Sequence, residues 1–294
     1  MNPTAGRGEG RVAGRRALGA LRQLGHAVVD LTGADLTEAR GRLAAEVAGL
    51  AAVVVVGGDG LVHAAVEAVA GTGTALGIVP AGTGNDIARG LDLALGDPAL
   101  AVQRVSAALR EERVRAVDAV RVRTGAGDGW FASILASGVD ALINERANAW
   151  RWPSGPSRYT LAAITELARV RSVGLRVVLD GERGLDVDAL LVAVANTRSY
   201  GGGLQMAPDA DPADGLLDVV VVDRLPALRA LTVFPRVRKG GHLSHPAVHV
   251  HRARTVRLEL REGSASPRPH ADGEPTGPLP VTCEVVPGAL HVLA

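Results

Sequence analysis

Residues 51–89 read AAVVVVGGDGLVHAAVEAVAGTGTALGIVPAGTGNDIAR, and their pattern decides the fold. An apolar run of strand length at 51–56 breaks at Gly57-Gly58-Asp59-Gly60 into a helix-forming segment at 61–70. A second apolar run at 75–79 breaks at Pro80-Ala81-Gly82-Thr83-Gly84-Asn85-Asp86 into another at 86–91. Open α/β sheets use this succession to aim backbone N–H groups at a phosphate, and adjacent parallel strands would turn both loops toward one ligand. Glycine allows positive φ and close backbone approach to an anion. Asp59 stands at a helix start, where it either caps the helix or organises magnesium and water around phosphates. Asp86 repeats that position as a cap, and the Thr83 hydroxyl can bond a phosphate. The paired crests point to a nucleotide phosphate with its metal.

The chain has 294 residues, 47% apolar and 21% charged, a globular composition long enough for two domains. A formal net charge of +1 carries no global nucleic-acid signature, so no nucleic-acid partner is expected. Cys283 is the only cysteine, which excludes an internal disulfide framework and a cysteine-rich metal site and suits a reducing compartment, the cytoplasm. No stretch approaches the roughly 18 uninterrupted apolar residues of a membrane span, and the amino terminus carries no apolar signal segment. Lys239 is the only lysine. A P-loop needs a lysine after its glycines and a protein kinase needs one on an early strand, so neither is present. A nucleotide here must be held by backbone amides, arginines and metal.

The first half alternates in the βαβ manner, with helices predicted at 14–24, 36–48, 61–70, 86–91 and 99–110. An opening strand would precede Asn2, so a few residues upstream of Met1 are expected to complete it. Beyond residue 114 the pattern turns to β-branched runs at 116–123, 130–137, 175–179, 189–195, 216–222, 249–260, 281–286 and 289–293. One helix is predicted there, at 159–170, and 263–280 reads as a long loop rich in Pro, Gly and Ser. The fold class is α/β plus β: an N-terminal three-layer α/β nucleotide-binding domain over 1–115, then a C-terminal antiparallel β-sandwich-like domain over 116–294. Its last strand is expected to return to the first domain.

Four signatures occur in order along the chain: Asn2-Pro3-Thr4-Ala5-Gly6-Arg7, GGDG at 57–60, PAGTGND at 80–86, and Asp272-Gly273-Glu274. Together they resemble the diacylglycerol kinase catalytic fold, and within it the bacterial soluble lipid kinase branch related to sphingosine and ceramide kinases. The resemblance implies that the α/β domain holds ATP and that the β-rich domain, with the cleft between, holds a lipid. It places Asn2, Pro3 and Gly6 in the first nucleotide loop and Arg7 beside the phosphates. Thr32, by composition an ordinary turn residue, matches a nucleotide-contacting threonine. Gly57, Gly58, Asp59, Gly60, His63, Thr83, Asn85 and Asp86 complete the ATP site. The late acidic pair, on composition a solvated tight turn, would supply the base that accepts the proton of the attacking hydroxyl, with Glu274 assigned and Asp272 its rival. Asp59 joins them as a catalytic residue, beside the reacting Mg²⁺ and near Asp86.

The carboxylates Asp209, Asp211 and Asp214 crowd a turn-rich segment. Spacing alone favours a solvated acidic loop, since it is not an EF-hand. The resemblance instead implies a structural Mg²⁺ on Asp211, Asp214 and the carbonyl of Leu216. The chain departs from the family at Leu61, where threonine is usual, and at His63-Ala64, where an Asn-Glu pair follows. These departures touch phosphate and metal contacts but leave the backbone cradle.

The implied activity is transfer of the γ-phosphoryl group of ATP, with Mg²⁺, to a lipid hydroxyl such as that of diacylglycerol. A soluble-metabolite kinase of the NAD kinase type and a catalytically silent nucleotide- or lipid-binding protein remain alternatives. Trp150, Trp152 and Tyr159 interleave with Arg146, Arg151 and Arg158, and Arg236-Val237-Arg238-Lys239 forms a second basic cluster. Such segments suit an anionic lipid interface at the inner membrane face or, equally, a packed junction with solvated arginines. The expected partners are ATP and a lipid substrate at a membrane surface, and the sequence leaves a homodimer open.

Overall fold

The computed structural model of the chain describes residues 9–150, 156–167, 172–182 and 184–294. Its first half is the predicted alternation: α1 (Glu9–Gln23), α2 (Leu36–Glu46), β1 (Ala52–Gly57), α3 (Asp59–Val69), β2 (Ala75–Pro80), α4 (Asp86–Gly90) and α5 (Pro98–Arg110). Helix starts follow local chemistry. Asp35 accepts the Glu38 N–H to cap α2, and Asp97 caps α5 with Pro98 at the first helical position.

β1 and β2 are parallel and in register from Ala52↔Ala75 to Gly57↔Pro80, so both glycine crests leave the sheet at one edge. Alternation along β1 feeds two cores. Val53 and Val55 pack with α2 and α3, whereas Val56 packs with α1 and α5, giving the three layers.

The second half holds β3 (Val114–Thr124), β4 (Gly127–Phe131), β5 (Ile134–Gly138), α6 (Val139–Ala149), α7 (Pro156–Leu167), β6 (Val173–Leu179), β7 (Leu185–Ala195), β8 (Leu217–Asp223), α8 (Ala227–Val237), β9 (Val248–Ala253), β10 (Thr255–Leu260), β11 (His270–Ala271), β12 (Glu274–Pro275) and β13 (Val281–Leu293). All thirteen described strands join one curled sheet. β13 runs antiparallel to β3 and β10 and then, at His291 and Val292, parallel to β2. A single strand thus spans from the β-rich half into the parallel pair. One core fills the inside of the curl and another lies between its outer face and α6, α7 and α8.

Four predicted features are corrected. The run 130–137 is two strands, because the N–H groups of Ala132 and Ser133 turn away to the Asp272 carboxylate. The run 249–260 is also two, because those of Arg254 and Thr255 turn to Asp180 Oδ1. The loop 263–280 contains the β11–β12 hairpin. α6 and α8 are helices where strands dominate the pattern; α8 hides behind Thr232, Val233 and Pro235, yet Ala230, Val233 and Val237 share one buried helical face.

β13 breaks register between Val286 and Leu290, and a buried acid fixes the break. Asp118, 3% exposed, accepts the Gly288 N–H at 2.9 Å on Oδ1 and the Gly215 N–H at 2.8 Å on Oδ2. Asp118→Ala would strand both donors, and bonds to a charged acceptor contribute about 1.5–3 kcal/mol each. Urea denaturation should show a loss of about 3 kcal/mol or more for Asp118→Ala, and a smaller loss for Asp118→Asn, which keeps one acceptor oxygen.

Candidate active site

The crests meet each other before they meet any ligand. A Cβ on Gly82 would lie 2.5 Å from the Gly58 Cα, so that position must be glycine for the loops to touch, and a Cβ on Gly58 would crowd the Gly82 Cα at 3.2 Å. Asn85, at φ 52°, closes the second crest by accepting the Gly82 N–H and donating to the Gly82 carbonyl, both at 2.9 Å. Its short amide tolerates the left-handed conformation.

Neither crest aspartate caps its own helix, contrary to the sequence reading. Asp59 reaches across to accept the Ile87 N–H of α4 at 3.1 Å. Asp86 accepts the N–H groups of Gly202 and Gly203, at 2.7 and 2.9 Å, from the β-rich half. The two carboxylates converge on Gly84, where a Cβ would lie 2.8 Å from Asp59 Oδ2 and 3.2 Å from Asp86 Oδ2.

The late motif arrives from the other side. β11 and β12 pair His270↔Pro275 and Ala271↔Glu274, leaving Asp272 (φ 52°) and Gly273 (φ 84°) as a two-residue turn. An Asp-Gly pair with both φ positive is the hairpin turn that matches strand twist. The Asp272 side chain is fully buried. It accepts Ser133 N–H at 2.8 Å, Ala132 N–H at 3.0 Å and sits 3.1 Å from His63 Nδ1. Glu274 emerges beside the first crest, its Oε1 2.8 Å from where a Gly60 Cβ would stand. Asp59, Asp86, Asp272, Glu274 and His63 are therefore brought together.

Their charges interact. Burial, together with the neighbouring Asp86 and Asp272, pushes the Asp59 pKa up to about 6. Burial raises Asp86 too, against the Gly202 and Gly203 N–H groups and the Arg89 charge. Burial works against a charged His63, but the Asp272 hydrogen bond and the charges of Asp272, Glu67 and Glu274 outweigh it and raise its pKa. At 5% exposed and paired with Asp272, His63 faces the acidic turn.

Arg89 escaped the sequence reading. Its Nη2 donates to the Gly84 carbonyl at 3.3 Å, beneath the second crest, and the signal for it was an arginine in the helix opened by Asn85-Asp86. Gly202 and Gly203 were missed as well, since glycines in a turn announce no partner. Leu61 packs its side chain over Gly57 and joins the α3 core, and Ala64 is buried.

Among the described residues the other predicted ones make no hydrogen bond to these acids, and Thr32 lines a cavity with Leu61. Thr32 donates its hydroxyl to Asp30 Oδ1 at 2.5 Å, the bond that lowers the Asp30 pKa, and its carbonyl accepts Arg42. Thr83 is exposed at the second crest. Asn2, Pro3, Gly6 and Arg7 lie outside the described residues, as do Arg151 and Trp152. Trp150 packs against the α6–α8 core with Arg146 5.9 Å from its ring centroid, and Arg146 pairs with Glu166.

Two acidic sets are candidates for a cation. Asp59 and Asp86 crowd together with Arg89 as a countercharge on Asp86, and the raised Asp59 pKa is the mark of carboxylates that a hard cation would relieve. They fit Mg²⁺ with phosphate oxygens as its further ligands. In the 211–216 loop the carboxylates are engaged by the chain itself, as that of Asp86 is by Gly202 and Gly203. Asp214 gives one oxygen to the Leu216 N–H and the other to Arg252, while Asp211 accepts the Ala213 N–H. Among the described residues no group of three or more His, Cys, Asp or Glu side chains is arranged to hold a metal.

Asp59 carries the pH dependence. With a folded pKa raised to about 6, its neutral form favours folding at acid pH, and that contribution is lost as pH rises through about 6. In metal-free protein Asp59→Asn should therefore stabilise at pH 8 by about 2–3 kcal/mol and change little at pH 4, as read by thermal melts.

A sequence profile of the diacylglycerol kinase catalytic domain matches residues 1–122, and one of the YegS C-terminal NAD kinase beta sandwich-like domain matches residues 133–294. A Mycobacterium tuberculosis protein named diacylglycerol kinase is 41% identical over 294 residues, covering 99% of this chain and 93% of the relative. A Chromohalobacter salexigens protein named "Probable lipid kinase YegS-like" is 31% identical, covering 95% and 88%. The crystal structure of a diacylglycerol kinase from Bacillus anthracis superposes with a TM-score of 0.70 at 18% identity, over 99% of this chain and 94% of that one. An NAD kinase from Archaeoglobus fulgidus in complex with ATP superposes with a TM-score of 0.55 at 13% identity, over 100% and 91%. These structures share the fold. Among the described residues no helix is long and apolar enough to cross a membrane.

Proposed function

This chain belongs to the diacylglycerol kinase catalytic-domain family, in the branch with a YegS-type C-terminal domain, and from that premise we propose that it is an ATP-dependent lipid kinase acting on diacylglycerol. Residues 1–115 are assigned to ATP and 116–294 to the lipid. The enzyme would meet its acceptor at the inner membrane face. The 41% identical relative named diacylglycerol kinase supports that acceptor over other lipids.

One observation carries the reading. Of the acids at the site, Asp59, Asp86 and Asp272 each hold a backbone N–H, whereas Glu274 has no hydrogen-bond donor among the described residues and stands against Gly60. An acid held in place and otherwise unengaged beside the phosphate crest suits a general base. Glu274 is assigned to take the proton of the attacking hydroxyl, and Asp272 to hold the turn that aims it. The N–H groups of Asp59 and Gly60, at the first turn of α3, would cradle phosphate oxygens, because a helix leaves its leading N–H groups unpaired. Asp59 and Asp86 would hold Mg²⁺, which when bound neutralises charge developing on the transferred phosphoryl group. Positioning supplies most of the rate in such a transfer, so the base receives its proton late.

An apolar cavity of about 60 Å³ would take the end of an acyl chain and not its length. It lies between α6, α8 and the outer sheet face, lined by Ile143, Leu191, Val233 and Phe234. Tyr200 and Leu204 line it too, and they flank the glycines that hold Asp86.

The test is transfer of label from ATP, with Mg²⁺, to diacylglycerol, ceramide, sphingosine, phosphatidylglycerol or NAD. Label in diacylglycerol is expected, and label in NAD alone would overturn the lipid reading. Glu274→Gln should lower kcat by about 10²–10⁴ while leaving ATP affinity unchanged. Equal loss of nucleotide binding would remove Glu274 from the role of base.

A further inference from the structure

From Arg224 to Leu258 the chain contains no Asp or Glu, and α8 sits at the start of this stretch. Its faces are sharply divided. Ala230, Val233 and Val237 are buried against the sheet. Leu228, Arg229, Thr232, Pro235 and Arg236 share the exposed side, and Leu228 is 77% exposed, more than any other large apolar side chain described. Arg224, Arg229, Arg236, Arg238 and Lys239 are all exposed, and none forms an ion pair among the described residues. Elsewhere the described arginines commonly meet acids, as Arg252 meets Asp214 and Arg261 meets Asp188.

An unneutralised row of cations around a protruding leucine on a short helix is the composition of a helix lying in a headgroup layer. We propose that the outer face of α8 docks the protein on an anionic phospholipid bilayer, with Leu228 entering the acyl boundary and the flanking arginines holding lipid phosphates. The occupant is a bilayer because of what lies beneath. The buried face of the same helix roofs the apolar cavity, so docking on α8 sets the cavity against the membrane that contains an acyl chain. The inference rests on the lipid kinase reading for its purpose, though not for its test.

Vesicle co-sedimentation of the full chain provides that test. Wild-type protein should pellet with vesicles of phosphatidylglycerol and phosphatidylcholine, should release at high salt, and should stay in solution with pure phosphatidylcholine. A variant carrying Arg229→Glu, Arg236→Glu and Arg238→Glu should bind anionic vesicles about tenfold or more weakly, and Leu228→Asp should weaken binding also. Both variants should retain wild-type turnover on short-chain diacylglycerol in detergent micelles, which separates docking from catalysis. Wild-type protein that ignores anionic vesicles, or a triple variant that binds them as wild type does, would overturn the proposal. A rise in mass with protein concentration in place of vesicle binding would put a second copy on this face and would overturn it too. Loss of turnover in micelles by wild type itself would count against the kinase reading and leave the docking result standing.

Discussion

A buried carboxylate must be satisfied by hydrogen bonds or charge, and Asp272 meets that demand by drawing separate pieces of chain to one point. It takes the N–H groups of Ala132 and Ser133 from the break between β4 and β5, and it faces His63 on α3. That one side chain explains why a β-branched run is broken, why an Asp-Gly turn sits in the middle of the site, and why Glu274 faces Gly60. Asp59 and Asp86 work in the same way. Asp59 ties α3 to α4, and Asp86 ties α4 to Gly202 and Gly203, so the acids that gather at the crests also fasten the two halves together.

β13 gives this arrangement its stiffness. A hinged pair of domains would share only a linker, whereas here a strand of the β-rich sheet ends as the neighbour of β2. Asp118, on β3, pins the irregularity at Gly288, where the ladder between Val286 and Leu290 is interrupted. Relative motion of the halves must therefore bend a continuous sheet. The acids and the backbone donors they accept from are thereby fixed relative to one another.

The parallel pair with its crests is legible in the sequence because apolar runs ending in glycine have few other uses, and Asp35 and Asp97 announce their helices by local capping alone. The Asp-Gly hairpin is legible as a turn for the same reason. The partners of Asp59, Asp86 and Asp272 are not, because an aspartate at a helix start reads as a cap unless the distant N–H is known. Gly202 and Gly203 lie more than a hundred residues from the acid they hold. The breaks at Ala132 and Arg254 are hidden likewise, since a β-branched run carries no mark of an acid elsewhere that will bend it. α8 is hidden by β-branched residues and a proline that tertiary packing overrides.

The departures at Leu61, His63 and Ala64 acquire meaning from this network. Leu61 places aliphatic carbon over Gly57, so on the proposed reading phosphate contact at that turn would fall to backbone N–H groups. Ala64 is buried on α3 next to His63, and its methyl group offers no ligand at that place. His63 fills the remaining place with a group that can carry positive charge among Asp272, Glu67 and Glu274. The acidic turn thus receives its countercharge from α3 itself, so the helix that follows the first crest also holds the turn from which Glu274 emerges. A substitution at residue 63 would act through the aim of Glu274 and through the charge around it, although the residue lies in the N-terminal half and Glu274 in the C-terminal one.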